Sequence, residues 1–306
     1  MKITITGSNG LIGKELSSKL LNDGNNIILL TRDASSVNNV QNQSFSVKSW
    51  DYKIPDQLKE LMENNYAIIH LAGANLSNKR WNKEYKDIIY DSRITSTKNI
   101  VNAIESCTIK PKVFIMLSAV GIYGNRGDEV LREDSQYGND FLANLCRDWE
   151  NEAEKVESSG VRRVSLRIGL VLSKEGGVLK KLLLPFKLFM GGTLGNGAQW
   201  FPWIHIQDVV NIISFALTNE SMKGAFNCAA PGIVRMKDFS KALGKTIRRP
   251  SYIRIPKFVL RIISGQFAYT AVSSQRVSIK RIKRTGYKFR FEELGSALNN
   301  LLIGNE

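Results

Sequence analysis

The chain has 306 residues, 43% hydrophobic and 23% charged, enough to bury a sizeable core as one large domain or two interleaved ones. No apolar run approaches the roughly 20 residues that span a bilayer, and the N-terminus lacks a secretory pattern. Cys107, Cys146 and Cys228 are scattered without a CxxC pair, which argues against a disulfide framework or a metal site and predicts a cytoplasmic protein with reduced thiols.

The net charge of +15 is uneven: Arg235 to Arg290 holds sixteen Lys/Arg and one acid, Asp238, so that segment alone carries +15. Such a segment can attract nucleic acid, an anionic surface or a phosphorylated ligand. Its basic residues alternate with apolar ones as on a folded amphipathic surface, so a solvated basic face is expected and nucleic acid is not an expected partner.

Taken in chain order, Ile3-Thr4-Ile5-Thr6 predicts a first strand over Lys2–Thr6, and Leu11–Asn22 reads as an amphipathic helix. Between them lies Gly7-Ser8-Asn9-Gly10-Leu11-Ile12-Gly13. Strand, glycine turn and helix is the arrangement that binds a dinucleotide pyrophosphate. The first glycine allows the tight turn, the second lets the backbone approach the phosphates, and the third lets helix and strand pack closely. The helix N-terminus faces the anionic charge. The spacing is GxxGxxG rather than GxGxxG. Gly7, Asn9, Gly10, Leu11, Ile12 and Gly13 are the expected contacts.

Asp23-Gly24-Asn25 stops the first helix. Further strands are expected at Asn26–Thr31, Ser44–Lys48, Ala67–Leu71, Lys112–Leu117 and Arg163–Leu166, with helices at Gln57–Asn64, Lys83–Ser106 and Phe141–Ser158. This alternation implies βαβ units and a parallel sheet covered on both faces. Beyond residue 170 the rhythm breaks. Gly176-Gly177 and Gly191-Gly192 bracket an apolar, basic helical segment, and Trp200-Phe201-Pro202-Trp203 follows. Helices are expected at Ile206–Asn219, Met236–Gly244, Pro256–Ile263 and Phe291–Leu302, with a last strand at Ala225–Cys228. The expected fold is α/β: a doubly wound parallel sheet of the Rossmann type from residues 1–172 and 203–231, and a smaller, mostly helical substrate lobe from 173–202 and 232–306. The ligand cleft should lie at the strand C-termini.

The second strand ends Leu30-Thr31-Arg32. An Asp or Glu there would hydrogen-bond the ribose 2′-hydroxyl of NAD. Arg32, beside Thr31, suits a 2′-phosphate through charge-assisted bonds, with Asp33 one residue late. The expected cofactor is therefore NADP rather than NAD.

Further motifs make the chain similar to the extended short-chain dehydrogenase/reductases, the group of nucleotide-sugar epimerases and dehydratases. They are Leu71-Ala72-Gly73, Ser118 with Tyr123-Gly124, Arg167-Ile168-Gly169, the run from Trp203 to Val209, and Asn227 before Pro231. Arg80-Trp81, Ser92-Arg93, Phe141-Leu142-Ala143, Trp149-Glu150 and the Ser273–Val277 segment resemble an atypical epimerase-like branch with its own C-terminal domain. The resemblance implies a nicotinamide cofactor contacted by Leu71, Ala72, Gly73, Asn75 and Arg80, with Trp50 and Asp51 near the adenine.

It also implies a Tyr and, four residues on, a Lys that lowers the phenol pKa for proton transfer, with a Ser orienting the substrate oxygen. Counting back from Tyr123, the Ser position falls on Ser118 or, with a one-residue slip, on Ala119. Anchored on Glu150, the Tyr/Lys positions hold Leu142 and Cys146; shifted by one they hold Phe141 and Leu145. The usual pair is absent in both registers. Ser118 and Tyr123 are then the candidate catalytic residues. Cys146, Glu133, Asp140 and His205 read more simply as buried or capping groups, and His70 as a core histidine. The function expected is an NADP(H)-binding epimerase- or oxidoreductase-like protein acting on a small carbonyl or sugar-type substrate with non-standard residues; the alternative is a catalytically silent NADP(H) sensor or interaction protein. Monomer and homodimer are both open.

Overall fold

Apolar runs of four to seven residues separated by helices build one parallel sheet in the computed structural model, which describes residues 1–32, 44–54 and 58–304. In chain order the elements are β1 (Lys2–Thr6), α1 (Leu11–Asn22), β2 (Asn26–Thr31), β3 (Phe45–Ser49), α2 (Leu58–Met62), β4 (Ala67–His70), α3 (Lys83–Ser106), β5 (Val113–Ala119), β6 (Val130–Leu131), α4 (Phe141–Glu154), β7 (Arg162–Ile168) and β8 (Leu170–Leu172). There follow α5 (Gly177–Lys187), β9 (Gly192–Leu194), β10 (Trp200–Phe201), β11 (Trp203–His205), α6 (Ile206–Thr218), β12 (Gly224–Cys228), β13 (Val234–Arg235), α7 (Met236–Thr246), β14 (Ile253–Ile255), α8 (Lys257–Ser264), α9 (Ala268–Val272), β15 (Arg276–Val277), α10 (Lys280–Arg284) and α11 (Leu294–Leu302).

The central sheet runs β12-β7-β5-β4-β1-β2-β3, and every neighbouring pair is parallel. From β1 the chain winds outward first through β2 and β3, then through β4 and β5. That reversal opens a crevice at the strand C-termini, the expected ligand edge. Successive residues point to opposite faces. Ile69 and Ile115 join α1 and α6 residues in one core, while Ile68 and Phe114 join α2, α3 and α4 residues in the other. Each such apolar side chain contributes roughly 1.5–3 kcal/mol by burial.

A third core gathers α5, α7 and α11 around Leu179, Phe186, Phe201, Phe239 and Leu298. Trp203 and Ile206 belong to it, whereas Ile282, Tyr287 and Phe289 pack into the sheet core. Both cores therefore draw on residues from either side of chain position 231. Asp208 of α6, fully buried, fastens them: its carboxylate accepts from the Arg290 and Phe291 amides at 2.8 and 3.0 Å and from the Tyr287 hydroxyl at 3.1 Å. The last helix starts at Leu294 rather than at Phe291. Two other helices are shorter than expected. The expected Gln57–Asn64 helix is Leu58–Met62, Gln57 lying outside the described residues. The Phe141 helix ends at Glu154 and tightens into a 3-10 turn that Gly160 stops at φ +76°.

Candidate functional site

The glycine turn sits at the sheet reversal. Gly7 has φ +70°, and a Cβ there would lie 2.6 Å from the Leu71 carbonyl carbon, so only glycine lets the turn rest on the end of β4. A Cβ on Gly13 would lie 2.7 Å from Ser8 Cα. The third glycine therefore admits α1 against the turn itself, not against a strand as expected. Gly10 is exposed and caps α1 with no side-chain hydrogen bond to the first amides of the helix. Asn9 Nδ2 donates to Thr31 Oγ1 at 3.1 Å and ties the turn to β2. Leu11 and Ile12 point into the third core, Leu11 lying against Gly176 and Gly177.

The segment after β4 is held just as firmly. Thr6 Oγ1 accepts from the Leu71 and Ala72 amides, both at 3.2 Å, and lies 2.7 Å from His70 Nδ1. Ser96 Oγ is 3.1 Å from His70 Nε2, and Ser92 Oγ accepts from the Ala74 amide at 2.9 Å. Burial, with Arg93 nearby, holds the His70 pKa down to about 3, so its ring is neutral. Asn75 closes the following turn, its Oδ1 accepting from the Ser77 amide at 2.9 Å and its carbonyl from the Tyr85 hydroxyl.

At the end of β2, Arg32 is exposed and its carbonyl accepts from Ser49 Oγ at 3.2 Å. Asp33 lies outside the described residues. Trp50 is buried among Leu30, Leu58 and Met62, while Asp51 is exposed and accepts from the Lys53 amide. Three buried polar atoms along this edge meet no full hydrogen bond among the described residues: Ser8 Oγ after β1, Trp50 Nε1 after β3 and Ser118 Oγ in β5.

On the other side of β1 a cavity of about 960 Å³ opens between the sheet and the C-terminal part. Leu76, Trp81, Phe141, Leu142, Trp200 and Tyr269 line it, with Gln199 and Asn125 among the polar groups. Ala119 faces this cavity and Ser118 does not; strand alternation turns Ser118 inward toward α4. Leu142 stands in the wall. Cys146, one turn later, is buried, and burial with Glu150 nearby pushes its pKa up to about 12. Asp140 lines the cavity while capping α4 through the Ala143 amide at 2.9 Å.

Tyr123 is not in the wall. It is fully buried, donating to Asn227 Oδ1 at 2.7 Å and accepting from Arg167 Nη1 at 2.8 Å. Burial pushes its pKa up to about 12. That setting suits a framework tyrosine and differs from the expected proton donor facing substrate. Arg167 in turn meets Glu150 through Nη2–Oε2 and Nε–Oε1 contacts of 2.8 and 2.9 Å. Motifs separate in the chain thus form one buried network. Arg80 reaches across to the C-terminal part, donating to the Ile262 carbonyl, not along the turn that carries Gly7. His205 caps α6 and stacks on Phe291 at 3.8 Å.

With this geometry in view, the family is clear. The NAD dependent epimerase/dehydratase family matches residues 3–229, and a domain of unknown function, DUF1731, matches residues 255–301. The chain belongs to the NAD dependent epimerase/dehydratase family. It is 36% identical over 307 residues to the chloroplastic epimerase family protein SDR39U1 homolog of Arabidopsis thaliana, covering 99% of this chain and 87% of that protein. It is 34% identical to an epimerase family protein of Staphylococcus aureus, covering 97% and 98% of the two chains. Among solved structures, human epimerase family protein SDR39U1 with NADPH superposes with a TM-score of 0.88 at 29% identity, covering 100% of both chains.

Proposed function

We propose that this chain binds NADP(H) and exchanges a hydride with a small, largely apolar carbonyl compound. The observation that carries the cofactor is the Gly7–Gly13 turn seated on β4 with the uncapped N-terminus of α1 above it and Arg32 at the end of β2. The pyrophosphate would take the α1 amides, and the 2′-phosphate would take Arg32. Leu71, Ala72 and Gly73 lie where the other half of the dinucleotide would run. NADPH in the human relative supports the same assignment. The nicotinamide supplies a hydride; the protein's part is to place it and to exclude water.

The cavity argues for the substrate class. Its walls are aromatic and aliphatic, which suits an apolar body better than a sugar diphosphate. Among the described residues Lys86, Asp140, Lys257 and Tyr269 are the ionisable side chains on the wall, and these are the candidates to supply the proton that accompanies the hydride. A second reading, binding without turnover, is favoured by the absence of the usual Tyr and Lys, whose positions hold Leu142 and Cys146 or, shifted by one, Phe141 and Leu145. Single-turnover oxidation of bound NADPH by a panel of apolar aldehydes and ketones separates the two. Oxidation by at least one compound supports a reductase. Tight binding with no oxidation by any of them establishes the silent binder instead.

A further inference from the structure

The sheet order sets the direction of a bound dinucleotide. With the pyrophosphate at α1 and the 2′-phosphate at Arg32 beyond β2, the nicotinamide half runs the opposite way, over the ends of β4 and β5. On that side α3 presents a guanidinium that has no carboxylate partner among the described residues. Arg93 lies flat against exposed Gly73, so closely that a Cβ on this glycine would sit 2.9 Å from Arg93 Cζ. It stacks on the Trp149 ring at 5.2 Å, and Nη1 donates to the Ile89 carbonyl at 3.2 Å. Burial acts against its charge. A guanidinium has five N–H donors. Setting one into the fold with so little acceptor around it is costly unless a ligand completes the set.

Cys146 marks the spot. It is the position at which the superfamily pattern, anchored on Glu150, would place a Lys, and its thiol is neutral. The cation that α4 lacks there stands on α3, where Arg93 packs on Trp149, three residues along α4 from Cys146. Ser92 and Ser96, on either side of Arg93, pin α3 to Ala74 and His70, so the guanidinium is fixed relative to the β4 edge.

We propose that Arg93 is the cationic binding residue for the nicotinamide half of the cofactor, donating past Gly73 to oxygens of the nicotinamide riboside. The absence of a side chain at Gly73 is what brings the guanidinium within reach of that edge. The assignment rests on the NADP(H) reading above, and its test separates the two. Wild type and Arg93→Met are titrated with NADPH and with adenosine 2′,5′-bisphosphate, which keeps the Arg32 end and lacks the nicotinamide riboside. Arg93→Met is expected to weaken NADPH about tenfold or more, as loss of charge-assisted hydrogen bonds does, and to leave the bisphosphate within about twofold. The cofactor-free unfolding temperature should hold or rise, because an unneutralised cation has been replaced by an apolar chain. Equal weakening of both ligands, or no change in NADPH affinity, overturns the assignment. Should Arg93→Met not fold, Arg93→Gln is judged by the same criterion. A wild-type protein that binds neither nucleotide overturns the NADP(H) reading and this assignment with it.

Discussion

Arg32 stands exposed one residue beyond the Thr31 that Asn9 ties to the glycine turn, so its charge is presented at the edge where an adenine ribose would lie. Replacing it should act on one cofactor only. Arg32→Ala is expected to weaken NADPH about tenfold while leaving NADH within twofold, read by fluorescence titration; equal loss for both would place the 2′-phosphate elsewhere. Gly13→Ala acts by sterics, its Cβ meeting Ser8 Cα at 2.7 Å. The turn must shift, costing about 1–3 kcal/mol, and thermal scans should show a lower melting temperature and no NADPH-induced rise. The buried histidines set a pH dependence. His70 and His205 are held neutral with pKa values of about 3 and about 4, against about 6.5 in the unfolded chain. Below that value the unfolded chain binds protons that the folded one refuses. The stability they contribute is complete above pH 6.5 and is lost as pH falls, by up to about 1.4 kcal/mol per unit for each ring. Urea unfolding from pH 7 to pH 5 should show the loss, and His70→Asn should reduce its slope; an unchanged slope would remove His70 from the account.

At the scale of elements, β7 and α4 are joined by the Arg167–Glu150 pair, with side chains 2% and 7% exposed. Breaking one partner leaves a buried charge and is expected to cost about 3–5 kcal/mol, while Arg167→Met with Glu150→Leu should cost less than either change alone. Denaturant unfolding of the double-mutant cycle measures this, and simple additivity would contradict it. The pair also shows what the chain discloses by itself and what it does not. β1, α1 and α3 have the bounds read from periodicity and stop signals, because those signals are local. The network of Tyr123, Glu150, Arg167 and Asn227 draws on four distant segments, brought together by the pairing of β5, β7 and β12 and the packing of α4 on that sheet. The choice between Ser118 and Ala119 turned on a single residue of register, which alternation inverts. Arg93 and Gly73 touch through a side chain and share no spacing rule. Strands β8 to β11, of two or three residues, are too short to show a period.

Over the whole molecule, the cofactor edge and the cavity are braced by the same C-terminal part. Leu11 of the turn packs on Gly176 and Gly177, and Arg80 bonds to the Ile262 carbonyl of α8. Some of the basic segment serves packing: Arg235 and Arg276 lie 4.8 and 4.9 Å from the Trp200 ring, and Arg281 lies over Phe226 at 4.8 Å. Among the described residues no helix is long and apolar enough to cross a membrane. A turn that only glycine can make, seated at the sheet reversal next to an exposed arginine, is the feature on which the cofactor reading stands. Calorimetric titration of the purified protein with NADPH and with NADH tests it most directly. The account predicts saturable binding of both at one site, with NADPH at least tenfold tighter. NADH binding as tightly as NADPH, or neither binding, would contradict it.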